Sequence, residues 1–409
     1  MPSLAGIPLV DPTSDGSGTA FELDSPARED ANAIIGRWTV VVARDTKIVL
    51  ARGGADSDYD EAYASGLLHA QQGLDLLSIQ GRGDLSIRGF DDDHLVWWEE
   101  PQGVVIRVVS IAPLAIDVPP VNIQVTDASG RPVPQTSPKP PEWHESFRYF
   151  RLSQTSDDLF DAYRNAYLAL EAVLSSICPQ KLQKGKVAES EGAWFNRALK
   201  EAAKLIDLRQ MVPPQTLNPV HYLFDDLYVS MRSAMSHAKS GRRVLLPRTQ
   251  PEREKVTDSL SRLVQLYLKL VEAHLGVRRL GGALFAAAFR RMFGATLTNM
   301  SIIVSEDAST FDSSDTVINP AGGRTATLTA TSPLDTSRGF LATKLASAPC
   351  SDLADLRFIQ RVGGVSASGD PVMAAVLEGP LVLGSATRLE VMLGVRGTNQ
   401  RQPRSRYSF

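Results

Sequence analysis

The chain has 409 residues, more than one hydrophobic core usually organises, so two or three domains are expected. Its 43 basic and 46 acidic residues give a net charge of −3, which excludes a uniformly cationic nucleic-acid-binding protein and leaves room only for a local basic patch. Two distant cysteines, Cys178 and Cys350, support neither a cysteine zinc site nor a disulfide framework, and they favour a reducing cytoplasm.

The N-terminal third alternates short apolar runs with polar turns. Residues 1–21 are rich in Gly, Ser, Pro and Asp and are expected to be flexible, without the pattern of a signal peptide. RWTVVVARDTKIVLARGG predicts two strands around a polar turn, and DYDEAYASGLLHAQQGLDLLSIQ predicts a helix. With the short strands that follow, residues 22–130 are predicted to form a small mixed α/β domain. The prolines of residues 131–145 predict a linker.

Four long amphipathic helices are predicted within residues 146–279. The first is SDDLFDAYRNAYLALEAVLSSICP, which Ser156 can cap, and the second is SEGAWFNRALKEAAKLIDLRQM. The third is NPVHYLFDDLYVSMRSAMSHAKSG, with Asn218 as its cap and Pro219 in its first turn. The fourth is PEREKVTDSLSRLVQLYLKLVEAHLG. Four antiparallel amphipathic helices predict a bundle.

The last part of the chain returns to short strands separated by Gly, Ser, Asp and Pro turns. Residues 280–395 are predicted to form an antiparallel β domain, followed by a basic tail over residues 396–409. The expected fold class is therefore multidomain α+β: a small N-terminal mixed α/β domain, a central helical bundle and a C-terminal antiparallel β domain. No apolar run reaches membrane-spanning length, so no membrane association is expected.

Arg232 and His237 form the most distinctive pair in the third predicted helix. At about 100° per residue, both lie on the polar arc of an ideal helix, away from the core but not on one row. A solvated helix face gives the same pattern. The residue types nevertheless suit phosphoryl chemistry, because histidine titrates near neutrality and arginine binds phosphate oxygens with a forked pair of donors.

Three segments resemble the HEPN superfamily of helical ribonucleases, particularly its Apea-like and methylamine-utilisation-associated branch: AYRNAYLALEAVLSSICP, ESEGAWFNRALKEA and MRSAMSHAK. The resemblance covers about residues 145–279, and its hallmark is an arginine followed a few residues later by a histidine, here Arg232 and His237. Ser233 departs from the amide or acid that many active members have directly after the arginine.

The resemblance implies RNA cleavage without a metal ion or cofactor. The ribose 2′-hydroxyl would attack the adjacent phosphate and give 2′,3′-cyclic phosphate and 5′-hydroxyl ends. The resemblance also implies a homodimer through the helical bundle, in which both copies contribute an arginine and a histidine. Such proteins often act as toxins or antiviral defence effectors.

Further candidates surround the pair. Lys239, Arg242 and Arg243 suit binding of the RNA backbone, although favourable charge at a helix C-terminus explains them equally well. Ser233, Ser236 and Glu171 complete the set of supporting candidates: Glu171, in the first helix, can either orient Arg232 or form a plain ion pair.

Two alternatives to an endoribonuclease stay open at this point. One is a catalytically silent module for dimerisation or for nucleotide or RNA binding. The other is an interaction scaffold in which the C-terminal β domain binds a protein partner or trigger.

Overall fold

The computed structural model describes residues 1–10, 16–89, 91–116, 129–131, 142–156, 158–183, 186–236, 245, 250–277, 285–310, 312, 314–336 and 340–399. These residues divide into two compact units. Residues 1–115 and 284–398 form the first unit, and residues 116–283 form the second. Strands dominate the first unit and helices dominate the second.

The elements follow one another along the chain in three stretches. The first contains β1 (Ser3–Leu4), β2 (Ile7–Pro8), β3 (Ser17–Leu23), β4 (Ala31–Ile35), β5 (Trp38–Val42), β6 (Ile48–Gly54), α1 (Tyr59–Ile79), β7 (Ile87–Arg88), β8 (Asp93–Glu100) and β9 (Gly103–Ile116). The second contains α2 (Ser146–Thr155), α3 (Leu159–Ile177), β10 (Leu182–Gln183), β11 (Lys186–Val187), α4 (Glu191–Leu205), a 3-10 turn (Leu208–Met211), α5 (Pro219–Leu223), a π-helix (Phe224–Arg232), α6 (Ser233–Ser236) and α7 (Gln250–Leu275). The third contains α8 (Ala286–Thr298), β12 (Ser301–Ser305), β13 (Thr325–Thr327), β14 (Ala330–Thr331), β15 (Leu341–Pro349), a 3-10 turn (Cys350–Leu353), β16 (Ile359–Val365), β17 (Pro371–Val382) and β18 (Arg388–Asn399).

Two sheets organise the first unit. The ten-stranded sheet has the order β14-β15-β18-β9-β8-β3-β6-β5-β4, with β7 beside β3. The six-stranded sheet has the order β13-β12-β16-β17-β1-β2. The registers of β8 with β9, β15 with β18 and β1 with β17 are antiparallel.

The predicted fold class, with separate N-terminal and C-terminal domains around a central bundle, is wrong. β9 from the N-terminal part lies between β8 and β18, so strands from both ends of the chain belong to one sheet. Arg107 pairs with Glu390 at 2.6 Å, and Arg396 pairs with Asp92 at 2.8 Å, across this junction. Local periodicity predicted the strands, but it contains no information on pairing between residues nearly 300 positions apart.

The predicted flexible N-terminus is also wrong for the residues that the structure describes. β1 and β2 form a hairpin, and Ser3 lies opposite Val382 of β17. Leu4 and Leu9 are buried, and the burial of these two side chains stabilises the position of this short segment. The many Gly, Ser, Pro and Asp residues of this segment led to the prediction of flexibility, because they outnumber the few apolar residues that become buried.

α1 packs on the ten-stranded sheet through two glycines. A Cβ on Gly66 would lie 2.3 Å from Thr19 Oγ1, and one on Gly73 would lie 2.5 Å from Val40 Cβ. The predicted helix is confirmed, with Asp58 as the cap that accepts the N–H of Glu61 at 2.9 Å.

The second unit has helical structure at the four predicted positions, but the third predicted helix is divided into α5, the π-helix and α6, and α2 was not predicted. Asp158, and not Ser156, caps α3 by accepting the N–H of Asp161 at 2.7 Å. Asn218 caps α5 by accepting the N–H of His221 at 3.1 Å, with Pro219 in the first turn as predicted. Most of the predicted linker (132–141) and of the basic tail (400–409) lies outside the described residues.

Candidate functional site

Arg232 is the last residue of a π-helix, and the expectation of an ideal α-helix at this position is wrong. The N–H of Ser233 bonds to the carbonyl of Tyr228, five residues earlier. Helical wheels at 100° per residue therefore give wrong side-chain directions over Phe224–Arg232. π-Helical turns are rare and are found frequently at functional sites. Arg232 consequently does not lie on a solvated arc: only 26% of its side chain is exposed.

A buried polar cluster fixes the middle of the π-helix against its neighbours. Asp226 accepts hydrogen bonds from the Ser259 hydroxyl and from Arg262 Nε, both at 3.0 Å. The Tyr163 hydroxyl of α3 lies 3.3 Å from Ser259 Oγ and 3.5 Å from the carbonyl oxygen of Leu227. These contacts join α3, the π-helix and α7, and they set the position from which Arg232 projects.

Arg232 forms an ion pair with Glu191, the first residue of α4. The guanidinium also lies over the ring of Tyr228, 5.4 Å from the ring centroid. Burial alone would lower the pKa of Arg232, but the negative charge of Glu191 and neighbouring groups raises this pKa above its ordinary value. Glu191 itself lies at a helix N-terminus, where the backbone dipole favours a carboxylate.

Glu171 of α3 lies beside this ion pair and has an unusual protonation equilibrium. Burial is the largest cause that raises its pKa to about 7, and the charge of Glu191 and a hydrogen bond to Glu191 add to the rise. The charge of Arg232 acts in the opposite direction. Near neutral pH, the Glu171 carboxyl group is therefore partly protonated.

The Tyr167 hydroxyl, one turn before Glu171, is buried without a hydrogen-bond partner among the described residues. Its side chain is 4% exposed, and its ring stacks on Phe195 with a centroid distance of 5.6 Å. Burial, followed by the negative charge of Glu171, raises the pKa of this hydroxyl. A buried hydroxyl without a partner costs free energy, so it is the kind of group that a ligand can satisfy.

These groups surround a pocket of about 440 Å³ within the second unit. Its lining consists of Phe160, Tyr163, Arg164, Tyr167, Leu168 and Glu171 from α3, Arg232 from the π-helix and Met235 from α6. The volume lies in the range of small-molecule sites. The lining combines apolar and aromatic side chains with the guanidinium of Arg232, the carboxyl group of Glu171 and the hydroxyl of Tyr167. Arg164 is exposed.

The structure brings together only part of the predicted set. Arg232 and Glu171 lie in the same pocket, although Glu191, and not Glu171, pairs directly with the guanidinium. Ser233 is half-buried, and Ser236 ends α6. The predicted catalytic His237 and the predicted RNA-binding Lys239, Arg242 and Arg243 lie outside the described residues.

Sequence reasoning missed Glu191, Tyr167 and Tyr228. Glu191 directly follows Ser190, whose hydroxyl accepts the N–H of Ala193 at 3.3 Å, so a helix start was recognisable there. Tyr167 precedes Glu171 by four residues, which places both on one face of a helix. Neither signal indicates which other helix these side chains face.

Comparisons with known proteins give no family for this chain. A scan against protein families finds no match, and searches of the curated proteins and of the solved structures find none either. Across the described ranges, none of the helices combines the length and hydropathy that a membrane crossing requires. Nor do those ranges contain a cluster of three or more His, Cys, Asp or Glu side chains arranged to bind a metal ion.

Proposed function

We propose that this chain is a metal-independent endoribonuclease of HEPN type that cleaves RNA at the pocket around Arg232. One observation supports this proposal above the others. The arginine of the predicted Arg/His pair lines a pocket of about 440 Å³ together with a carboxyl group whose pKa is about 7. A fixed positive charge and a group that exchanges protons at neutral pH are what phosphodiester cleavage by an internal hydroxyl requires.

Each part of the pocket has a role in this proposal. Arg232 holds two oxygens of the scissile phosphate and stabilises the charge that develops on them. His237 takes the proton of the attacking ribose 2′-hydroxyl. The apolar side chains of Phe160 and Leu168 in the pocket lining accommodate one unstacked base, as is usual for single-stranded RNA recognition. Arg164 adds a positive charge for the neighbouring phosphate.

The proposal extends to assembly and location. Two copies pair through their second units, so that the Arg232 and His237 side chains of both copies line one RNA-binding groove. The proposed role is that of a toxin or antiviral defence effector, triggered by a signal or partner that the strand-rich unit recognises. The two free thiols, Cys178 and Cys350, fit a cytoplasmic location.

A second candidate is a catalytically silent module that binds a nucleotide or RNA. The Arg232–Glu191 ion pair favours this alternative, because a phosphate must compete with Glu191 for the guanidinium. Such a module binds its ligand in the same pocket but releases no cleavage products.

The decisive experiment is cleavage of a fluorescent single-stranded RNA by wild type, Arg232→Ala and His237→Ala. Wild type should produce fragments with 2′,3′-cyclic phosphate and 5′-hydroxyl ends, and EDTA should not change the rate. Each substitution should lower kcat by at least about a hundredfold. The matched control is His221→Ala: His221 is exposed in α5, where it contacts Asp225 at 3.1 Å, and its loss should leave the rate unchanged.

Two results separate the alternatives. RNA binding without any cleavage supports the silent module. Cleavage that survives the His237→Ala substitution in a folded variant contradicts the proposed mechanism.

A further inference from the structure

The pocket lining contains two tyrosine hydroxyls whose surroundings differ. The Tyr163 hydroxyl is already occupied, because it lies 3.3 Å from Ser259 Oγ and 3.5 Å from the carbonyl oxygen of Leu227. Tyr167, one turn further along α3, is 4% exposed, and its hydroxyl has no hydrogen-bond partner within the described ranges. An unpaired buried hydroxyl costs free energy that a ligand can recover. The Tyr167 hydroxyl is therefore available to a polar group of a ligand.

Aromatic packing holds the ring of Tyr167 in a fixed position. The ring stacks on Phe195 with a centroid distance of 5.6 Å, and Phe195 in turn stacks on Tyr228 with a centroid distance of 5.7 Å. The guanidinium of Arg232 lies 5.4 Å from the centroid of the same Tyr228 ring. A continuous set of ring contacts thus connects Tyr167 with the proposed phosphate-binding arginine. Groups that are fixed before a ligand arrives lose less conformational entropy when it binds.

The position of Tyr167 indicates which part of an RNA chain it contacts. Tyr167 and Arg232 line the same pocket, so a ligand whose phosphate binds Arg232 brings the groups beside that phosphate towards Tyr167. In a ribonucleotide, the 2′-hydroxyl is attached to the carbon next to the one that carries the 3′-phosphate. A neutral hydroxyl suits Tyr167, since each of the two groups can donate or accept a hydrogen bond. The charged phosphate oxygens suit the forked donors of Arg232 instead.

We propose that Tyr167 binds the ribose 2′-hydroxyl beside the phosphate held by Arg232 and thereby selects RNA over DNA. This inference rests on the proposed ribonuclease function. The Tyr167 hydroxyl donates to the 2′ oxygen, which leaves the 2′ proton accessible to a base. The 2′-hydroxyl is the group by which a protein distinguishes RNA from DNA at a given site. With deoxyribose the Tyr167 hydroxyl stays unpaired, and a site that hydrogen-bonds a hydroxyl discriminates against the analogue that lacks it.

The test uses short fluorescein-labelled DNA oligonucleotides of one sequence that end in a 3′-phosphate. Their last nucleotide has a 2′-hydroxyl, a 2′-hydrogen or a 2′-fluorine. The fluorine keeps the sugar conformation of ribose but is a poor hydrogen-bond acceptor. None of these ligands can be cleaved, because the phosphate beside the 2′ position carries no leaving nucleoside. Fluorescence anisotropy therefore gives dissociation constants that do not depend on catalysis.

Wild type should bind the ligand with the 2′-hydroxyl about tenfold more tightly than the other two, as expected for one hydrogen bond to a buried group. Tyr167→Phe should lose this preference: its affinity for the hydroxyl ligand falls about tenfold, while its affinities for the other two stay within about twofold of wild type. These two unchanged affinities also show that the variant is folded. Arg232→Ala should weaken the binding of all three ligands to a similar extent, because each has the same phosphate.

The matched control is Tyr149→Phe, which removes a hydroxyl from the exposed surface of α2 and should reproduce the wild-type affinities. A preference that persists in Tyr167→Phe overturns the inference, as does equal binding of the three ligands by wild type. Binding of the fluorine ligand as tightly as the hydroxyl ligand also overturns it, because the preference would then come from sugar conformation. So does the absence of measurable binding of all three.

Failure of the ribonuclease function is a separate result. If wild type and Tyr167→Phe show the expected affinities but wild type leaves single-stranded RNA intact, Tyr167 is confirmed as a ribose-binding residue and the proposed nuclease activity is wrong. If wild type cleaves RNA and Tyr167→Phe retains the preference for the 2′-hydroxyl, the nuclease proposal stands and another group reads the sugar.

Discussion

Replacing Glu171 with glutamine should make the second unit more stable at alkaline pH. In wild type at pH 8, Glu171 must ionise beside Glu191 in a mostly buried position. The glutamine side chain has the same shape and never ionises.

The size of this effect follows from the protonation equilibrium. The pKa of Glu171 rises from its ordinary value of 4.5 to about 7 on folding. The folded state therefore binds more protons between these values, and stability falls as the pH rises through this window. Each unit of pKa shift corresponds to about 1.4 kcal/mol in the free energy of unfolding. After a reduction for the partial exposure of the side chain, the stabilising effect of Glu171→Gln should be about 2 kcal/mol larger at pH 8 than at pH 5.

Hydrogen exchange is the suitable assay because the chain has two compact units and global unfolding need not be a single transition. Peptides from α3 and α4 report the free energy of local opening at pH 5 and pH 8, after correction for the intrinsic exchange rate. Glu201→Gln on α4 is the control: Glu201 pairs with Lys204 at 2.7 Å on the surface, so its loss should have no comparable pH dependence.

Equal protection of wild type and Glu171→Gln at both pH values would refute the argument, since it would mean that Glu171 ionises freely. Weaker protection of the variant at pH 8 would refute it as well, because it would show that the carboxylate stabilises the fold.

Four further predictions concern other parts of the molecule. Tyr167→Phe should leave the midpoint of thermal unfolding equal or higher, because the removed hydroxyl is buried without a partner among the described residues, while RNA binding measured by fluorescence anisotropy weakens. Arg232→Lys should lower kcat about a hundredfold, because lysine lacks the forked pair of donors. Arg361→Met should destabilise the chain in urea unfolding by about 3 kcal/mol, because the fully buried Arg361 pairs with the buried Asp307 at 3.4 Å and the substitution leaves that carboxylate without this cation, with the backbone N–H groups of Ser309 and Ala321 as partners. Residues 1–116 expressed alone should bind the dye ANS and lack near-ultraviolet circular dichroism, because β9 would lose its neighbour β18.

Local physics made several elements predictable. Asn218 and Pro219 predicted the start of a helix, because their side chains suit the first turn and this preference does not depend on residues distant in sequence. The apolar spacing of the fourth predicted helix is confirmed by the burial of Val256, Leu263 and Tyr267 in α7.

The pairing of strands that are distant in sequence could not be predicted from local patterns. β9 and β18 have ordinary strand patterns, and their adjacency in the sheet depends on the whole unit. The Pro-rich stretch and the helices between them suggested a domain boundary on either side. A chain that leaves a unit and returns to it more than 160 residues later gives no local signal of its return.

Only the part of the site that lies within a single helical segment could be predicted from the sequence. Arg232 was recognisable from its spacing to His237, but its surroundings come from three separate segments: Glu171 of α3, Glu191 of α4 and the π-helix itself. Arg232 is mostly buried at the end of a π-helix, whereas an ideal α-helical wheel assigns it to a solvated arc. Nothing in the residues of Phe224–Arg232 distinguishes the two geometries by composition.

The charge balance of the pocket links substrate binding to the protonation of Glu171. While Glu171 is neutral, the charge of Arg232 balances that of Glu191, and the exposed Arg164 leaves a net positive charge for a phosphate. Ionisation of Glu171 removes that excess as the pH rises above about 7. Protonation of Glu171 therefore favours the bound phosphate. Ionisation of Glu171 should therefore raise KM over this pH range, whereas a purely structural Glu171 would leave KM unchanged.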